Sequence, residues 1–418
     1  TRRRGPAPGI GDRVLARLSF TGDDTYDARA IKFLGPDMRQ LLGVFERDDR
    51  GKGILRPTDR RQKYPYPVMP GHEGGAQPGE YVVAEPLGAG RNQKARVIER
   101  IGNEEDPKSI SLVAIHTHGL PVEFPPEALA QAERAEPAEL EEREDLRSIP
   151  LVTIDGADAR DFDDAVFAEP DLDGQNEGGW RIIVAIADVA WYVRHNDDLD
   201  QAARERGNSA YFPDRVVPML PEKLSNDLCS LRPGEDRACL AADMRINATG
   251  NLLSHRFTRG LMRSAARLTY DQVQAARDGA TDDKTRPLMA RVIEPLFGAY
   301  ASLAKARDNR GTLDLDIPER QVLFREDGWI DRIVPRARYD SHRLIEEFMI
   351  AANVAAAEAL HAKKAPVMYR VHEQPSMGDV ETLRESLAAL GFKLARAGTL
   401  RPSHFAGLLA QAAKTDKL

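Results

Sequence analysis

The sequence predicts an α+β protein in which one or two small β-barrels precede a larger, mixed α+β region. Three observations carry that expectation. From Gly11 to about Gly102, short apolar and β-branched runs are separated by Gly, Pro and Asp, the pattern of strands in a small barrel. From Leu151 onward, strand-like runs alternate with stretches whose apolar residues recur at helical spacing. Between the two, Glu123–Leu146 holds nine acids and two arginines, a composition break that marks separate units.

In the first region VLARLSF, ARAIKFL, LLGVFE, GKGILRP, EYVVAE and ARVIERI read as strands. They follow a basic, Pro-containing lead-in from Thr1 to Pro8, expected to be mobile. Residues 1–64 hold 15 Lys/Arg against 9 Asp/Glu. Oligonucleotide-binding barrels carry basic and aromatic side chains on one face. Lys32, Phe33, Arg50, Lys52, Arg56, Arg60, Arg61, Lys63, Tyr64 and Tyr66 are candidates for it, with Arg56 and Lys63 the RNA contacts singled out. The plainer reading makes Phe33 core and the cations solvated turn residues.

Pro125–Ile149 is Ala/Glu-rich, broken by Pro137, and reads as a pair of linker helices. Arg181–Val193 is a strongly apolar strand, buried on both faces. Asp188 inside it would be costly to bury unpaired, so it either caps a turn or belongs to a polar centre. Asp198–Gly207 reads as a short helix and DMRINATGNLLSHRFTRGLM as a hairpin turning at Thr249 and Gly250. Tyr270–Asp308 and Ser341–Lys364 are helical in period. On the latter, Leu344, Ile345, Phe348, Met349, Ala352 and Ala355 trace an apolar face. Glu346 and Glu347 are adjacent there, so at most one can face a site.

The 418 residues suggest two to four domains, and a composition 42% hydrophobic and 30% charged supplies ample core. A net charge of −7 argues against a wholesale nucleic-acid coat. No run approaches a membrane span and no secretory signal opens the chain. The two cysteines, Cys229 and Cys239, are expected to be reduced packing residues of a cytoplasmic, monomeric protein. Because it begins at Thr1 and stops at Leu418 within a helical stretch, the sequence reads as a piece of something longer.

The densest chemistry lies in LVTIDGADARDFDDAVFAE, Leu151 to Glu169. Five aspartates, Asp155, Asp158, Asp161, Asp163 and Asp164, fall on the bend between two apolar strands. Clustered carboxylates raise one another's pKa unless a cation sits among them, and Mg²⁺ accepts oxygen ligands of this kind. Phosphoester hydrolysis is the chemistry such a centre suits. Three plainer readings compete: a calcium loop, a solvated acidic turn, and a salt-bridge knot around Arg160. The calcium loop fails on register, because the glycine at the sixth place and the glutamate at the twelfth are missing. His116 and His118 in AIHTHGLP are too isolated for a metal pair and read as exposed strand residues. No Gly-rich phosphate loop and no nucleophile elbow occurs.

TIDGADARDFDDAV, IADVAWYV, AYFPDRVVPMLPEKLSNDLCSL, RLTYDQV and IEEFMIAANVAAA, in this order, resemble the catalytic (RNB) domain of the ribonuclease II / ribonuclease R family. The likeness is greatest to its bacterial ribonuclease R branch. Upstream, GVFERDDRGKGILRPTDRR and ARVIERIGNEEDPKSISLVAIHTHGLPVEF resemble that family's cold-shock-type, oligonucleotide-binding barrels and exit segment. The resemblance implies residues 1–45 as the end of a first barrel and 46–122 as a second with its exit segment. The acidic linker is then 123–149 and the incomplete RNB catalytic domain 150–418.

The resemblance also implies roles. The family motif D-x5-D-x-DD falls on Asp155, Asp161, Asp163 and Asp164. Asp155 and Asp164 would ligate Mg²⁺ or Mn²⁺ directly, Asp161 through water, and Asp163 would hold the terminal ribose and reacting phosphate. Asp158 falls outside the motif. Tyr211 and Tyr270 would stack on the last nucleotides, Phe324 is a looser candidate, and Glu346 or Glu347 would contact the terminal sugar. The implied reaction is hydrolytic 3′-to-5′ removal of nucleoside 5′-monophosphates from single-stranded RNA, with two ions about 4 Å apart. The family's later Thr-Ser-Pro-Ile-Arg-Arg-Tyr element has no counterpart in the sequence, so weak activity or none is expected of this piece. An RNA clamp without cleavage and a phosphodiesterase acting on another nucleic acid are the rival readings.

Overall fold

The computed structural model describes residues 12–22, 25–36, 40–59, 62, 64–88, 93–103, 105–315, 317–395 and 400–414. The lead-in Thr1–Pro8 and the candidates Arg60, Arg61 and Lys63 lie outside the described residues, as do the side chains of Lys32 and Phe33. The chain forms two compact units. The first comprises Thr1–Glu123 with Ser209–Val217 and Arg320–Val334; the second holds Phe124–Asn208, Pro218–Glu319 and Pro335–Leu418.

The first unit opens with an antiparallel hairpin of β1 (Asp12–Gly22) and β2 (Thr25–Pro36), on which Phe20 and Tyr26 meet edge to face at 5.3 Å. The strands β3 (Leu41–Arg47), β4 (Gly53–Pro57), β5 (Tyr66–Pro67), β6 (Glu80–Leu87) and β7 (Lys94–Asn103) form an antiparallel sheet ordered β5-β4-β3-β6-β7. Among the described residues it is not a closed barrel, but Val68, one residue past β5, bridges to Ala95 in β7. Its inner face buries Phe45, Leu55, Val82, Ala84 and Val97. Gly43 belongs there because a Cβ would run into the Arg56 carbonyl of the neighbouring strand.

After the sheet comes α1 (Pro107–His118), where a strand was expected at His116 and His118. The local signals for a helix outweigh the apolar run. Asp106 accepts from the Lys108 N–H as N-cap, Pro107 opens the first turn, and Gly119 closes the helix at φ 62°.

The second unit begins with α2 (Pro126–Glu133), a single helix where a linker pair was expected. It does not act as a spacer. Ala128 and Ala132 are buried in the unit's core, and Gln131 donates to Asp197 at 2.6 Å. A short β8 (Glu144–Asp145) follows, then β9 (Val152–Asp155), β10 (Asp164–Pro170) and β11 (Trp180–Ala187), the one-turn α3 (Val189–Tyr192) and α4 (Asp198–Arg206). The hairpin β12 (Ala210–Tyr211) with β13 (Val216–Val217) belongs to the first unit. Back in the second run β14 (Asp236–Ile246), β15 (Leu252–Arg263), β16 (Ala266–Thr269), α5 (Tyr270–Arg277) and α6 (Glu294–Arg310). The pair β17 (Arg320–Phe324) and β18 (Ile330–Pro335) lies chiefly in the first unit. The helices α7 (Asp340–Ala362), α8 (Met377–Ala389) and α9 (Pro402–Ala412) complete the described chain.

A seven-stranded sheet ordered β16-β9-β10-β11-β14-β15-β8 organises this unit. Side chains alternate across a strand, and both faces are apolar. Ala165, Phe167, Ile183 and Ala185 enter one core with Leu199, Leu224 and Met262. Val166, Ala168, Ile182 and Val184 enter the other with Leu296, Leu344 and Phe348. That double burial is why Arg181–Ala187 reads as a continuous apolar run. The expected strand through Val193 stops at Ala187, where Asp188 starts α3. The α7 face traced by Leu344, Ile345, Phe348 and Ala355 is buried as expected.

The β14–β15 turn falls where expected. Gly250 has φ +78°, and a Cβ there would run into the Ser302 carbonyl of α6. Gly250→Ala is therefore expected to lower stability by about 1–3 kcal/mol in urea denaturation. An unchanged midpoint would show that the turn relaxes freely.

Candidate active site

The acidic loop is built by its two flanking strands. Val152, Thr153 and Ile154 are buried, and the parallel β9–β16 ladder sets Asp155 against Thr269. Asp164 opens β10 on the same side as Val166 and Ala168, facing the helical core that includes Tyr270. The loop between them is pinned from outside. Arg267 donates Nη2 to the carbonyl of Ala157 at 2.8 Å and reaches those of Gly156 and Ala159, with its guanidinium 4.9 Å from the Phe162 ring. Phe162 is buried, its N–H donates to Ser230 Oγ at 3.1 Å, and its carbonyl accepts from Leu231 N–H at 2.8 Å. The Asp163 carbonyl accepts from the Ala187 N–H at 2.9 Å.

This framework crowds carboxylates. Burial, with Asp161 and Asp163 nearby, lifts Asp155 to about 6 against help from the Gly156 amide and Arg267. Asp163 is open to solvent on one side, yet the surrounding protein and Asp161 raise it to about 6. Asp164 goes furthest, to about 7, through burial and the charges of Asp155 and Asp163. Its Oδ2 is buried with no hydrogen-bond partner. Asp158 and Arg160 are exposed, and Arg160 makes no ion pair among the described residues. The salt-bridge knot around Arg160 is thus not formed; the cation that organises the loop is Arg267.

The donors suit a hard divalent cation. They are carboxylate oxygens with excess negative charge, one of them buried and unsatisfied. Among the described residues, however, no three acidic, imidazole or thiol side chains already converge in metal-ligating geometry.

Tyr270 stands beside the cluster. It follows Thr269, whose side chain caps α5 reciprocally with Gln272. Its ring stacks on His342 with centroids 4.0 Å apart, and burial plus the charges of Asp155 and Asp164 push its phenol up to about 12. His342 is held by the Tyr339 N–H, which donates to its Nδ1 at 3.1 Å. Arg267, His342 and Arg336 were not singled out from sequence, although Arg267 lies within the RLTYDQV motif.

The remaining candidates are placed differently. Glu347 is only 3% exposed and receives Arg307 Nη1 at 3.0 Å; burial raises its carboxyl while Arg307 opposes the shift. Glu346 is exposed and pairs with Arg338 at 2.9 Å. The principal charges on the aspartates and Tyr270 are one another, Arg267 and Arg336, not these glutamates. Tyr211 lies in the first unit, on β12, and is 66% exposed. Phe324, on β17, is half-buried in the same unit. Arg56 pairs with Glu46 at 2.7 Å, and Tyr66 packs on the barrel-like core with its hydroxyl on Gln62. Tyr64 stays exposed, as do Arg50 and Lys52. Asp188 heads α3 without capping it; its carboxylate receives Arg143 Nη1 at 2.8 Å.

Residues 143–416 match the RNB domain model and residues 54–125 the cold shock domain model. The chain belongs to the RNB family. Ribonuclease R of Vibrio parahaemolyticus is 39% identical over 396 residues, 93% of this chain and 47% of that protein. Ribonuclease R of Acidithiobacillus ferrooxidans is 40% identical over 317 residues, 73% of this chain and 70% of that protein. The chain spans about half the length of the first of these and of similar relatives. The structure of Mycoplasma genitalium RNase R in complex with ribose-methylated single-stranded RNA has the same fold. It matches with a TM-score of 0.85 and 24% identity, over 97% of this chain and 65% of that one. The RNB match contains all four motif aspartates and Tyr270.

Proposed function

We propose that this chain carries the metal-dependent centre of a hydrolytic 3′-to-5′ exoribonuclease acting on single-stranded RNA. The observation that carries the reading is the buried, partnerless Oδ2 of Asp164 among carboxylates that raise one another's pKa, inside an RNB domain. Asp155 and Asp164 would hold Mg²⁺ (or Mn²⁺), with Asp161 assisting through water. A divalent ion bound there supplies a nucleophilic water and offsets charge on the phosphate.

The protein's own groups do the positioning. Asp163, at the solvent-facing edge of the cluster, accepts from the terminal ribose. The Tyr270 phenol keeps its proton at neutral pH, since burial and two neighbouring acids oppose its loss, and so acts as a donor. Water adds to phosphorus, the O3′ of the penultimate nucleotide leaves and takes a proton, and a nucleoside 5′-monophosphate departs. The two cysteines are free and buried, which suits the reducing cytoplasm proposed as its compartment.

Digestion of 5′-labelled single-stranded RNA tests the reading. A Mg²⁺-dependent ladder is expected, weak from these 418 residues, which lack the Thr-Ser-Pro-Ile-Arg-Arg-Tyr element, and slower still with Asp163→Asn, by on the order of 10²–10³-fold. A mobility shift without shortening would favour an RNA clamp, and equal shortening of a DNA oligomer a broader phosphodiesterase.

A further inference from the structure

Arg336 is an uncommitted cation beside the acidic loop. Its Nη2 stands 3.9 Å from the point a Cβ on Gly156, the residue after Asp155, would occupy. Its charge acts on the Tyr270 phenol, in opposition to Asp155 and Asp164, and on the His342 ring stacked against that phenol. The backbone is anchored, for the Arg336 N–H donates to the Glu319 carbonyl at 2.8 Å. The guanidinium is not. It is 49% exposed, its one ion pair among the described residues is a long one of 3.9 Å to Glu319, itself 75% exposed, and it makes no side-chain hydrogen bond among them. An ion pair so long and so open holds the side chain only weakly.

The contrast with neighbouring arginines is informative. Arg267 is spent on loop carbonyls, Arg307 on Glu347 and Asp314, and Arg338 on Glu346 and Asp314. Arg336 keeps a planar fork of donors free at the edge of a cluster that on its own repels phosphate. Guanidinium binds phosphate oxygens in pairs.

We propose that Arg336 is a phosphate-positioning residue, its fork receiving the non-bridging oxygens of the terminal phosphodiester beside Tyr270 and the loop at Gly156. This rests on the exoribonuclease reading above. It is not the arginine of the Thr-Ser-Pro-Ile-Arg-Arg-Tyr element, which does not occur in these 418 residues. Its partner is the charge of one phosphate, so its effect disappears when that charge is removed from the RNA.

The test is a cycle between the residue and that charge. Two 5′-labelled oligoadenylates, one native and one with a methylphosphonate at the 3′-terminal linkage, are titrated by anisotropy in Mg²⁺ on an Asp163→Asn background, which slows cleavage. The background protein is expected to bind the native strand about tenfold more tightly, a difference of about 1.4 kcal/mol. Adding Arg336→Ala is expected to lower that ratio severalfold, leaving the preference that the Mg²⁺ centre itself has for a charged linkage, and to reduce the salt slope by about 0.7. Arg336→Lys is intermediate, because an ammonium keeps charge but not the paired donors. A structural role would weaken both strands equally. Both bound with an unchanged ratio overturns the assignment of Arg336 and leaves the exoribonuclease reading standing; neither bound overturns both.

Discussion

Replacing Arg143 with alanine is expected to destabilise the second unit by about 3–5 kcal/mol, the cost of leaving a buried carboxylate without its partner. Arg143 and Asp188 have side chains 6% and 3% exposed and meet at 2.8 Å. The only other cation within ion-pair reach of Asp188 among the described residues is Arg259, at 3.6 Å and half exposed, so it compensates in part at most. The Arg143 guanidinium also lies 4.7 Å from the Trp191 ring, on which Arg194 stacks too. Urea denaturation followed by tryptophan fluorescence would report both the stability and the loss of that contact. Arg143→Met combined with Asp188→Leu should recover most of the loss, because both charges then leave the core together. If Arg143→Ala alone costs under 1 kcal/mol, the Asp188 carboxylate does not depend on Arg143 for its compensation.

That ion pair shows where sequence reading stopped. Asp188 stood out as an acid in an apolar run, but its partner lies 45 residues upstream in a stretch whose Ala/Glu content suggested only a spacer. Local pattern finds a costly group and not the distant residue that satisfies it. The acidic loop was more legible, since two apolar runs bounding a cluster of aspartates require two strands with acids at their ends. The proximity of Tyr270 to Asp155 was not legible from spacing. It depends on β16 pairing in parallel with β9 in the register Thr269 to Asp155, across more than a hundred residues of chain. The same pairing carries Arg267 to the loop carbonyls. The choice between Glu346 and Glu347 also needed tertiary contacts. Helical spacing shows that they diverge, but only α6, bearing Arg307, decides that Glu347 points inward.

Asp164→Asn is expected to make the metal-free protein more stable at pH 8 while removing its stabilisation by Mg²⁺. The Asp164 carboxyl is raised to about 7 in the folded chain from an ordinary 3.8. Between those values the folded state holds a proton that the unfolded state has released. Stability is therefore present at low pH and falls as pH rises through this window, levelling off above about 7. One pKa unit corresponds to about 1.4 kcal/mol. Allowing for relaxation of the loop, the metal-free loss between pH 5 and 8 should be on the order of 1–3 kcal/mol. Asparagine carries no charge to repel Asp155 and Asp163, so the variant's profile should be flatter there. Bound Mg²⁺ reverses the ranking, because a ligand that binds only the folded state stabilises it by mass action. Wild type should gain most from Mg²⁺ at pH 8, where its carboxylates are ionised, and little at pH 5. A metal-free Asp164→Asn protein less stable than wild type at pH 8 would show that the carboxylate is held by attraction, contrary to its partnerless oxygen.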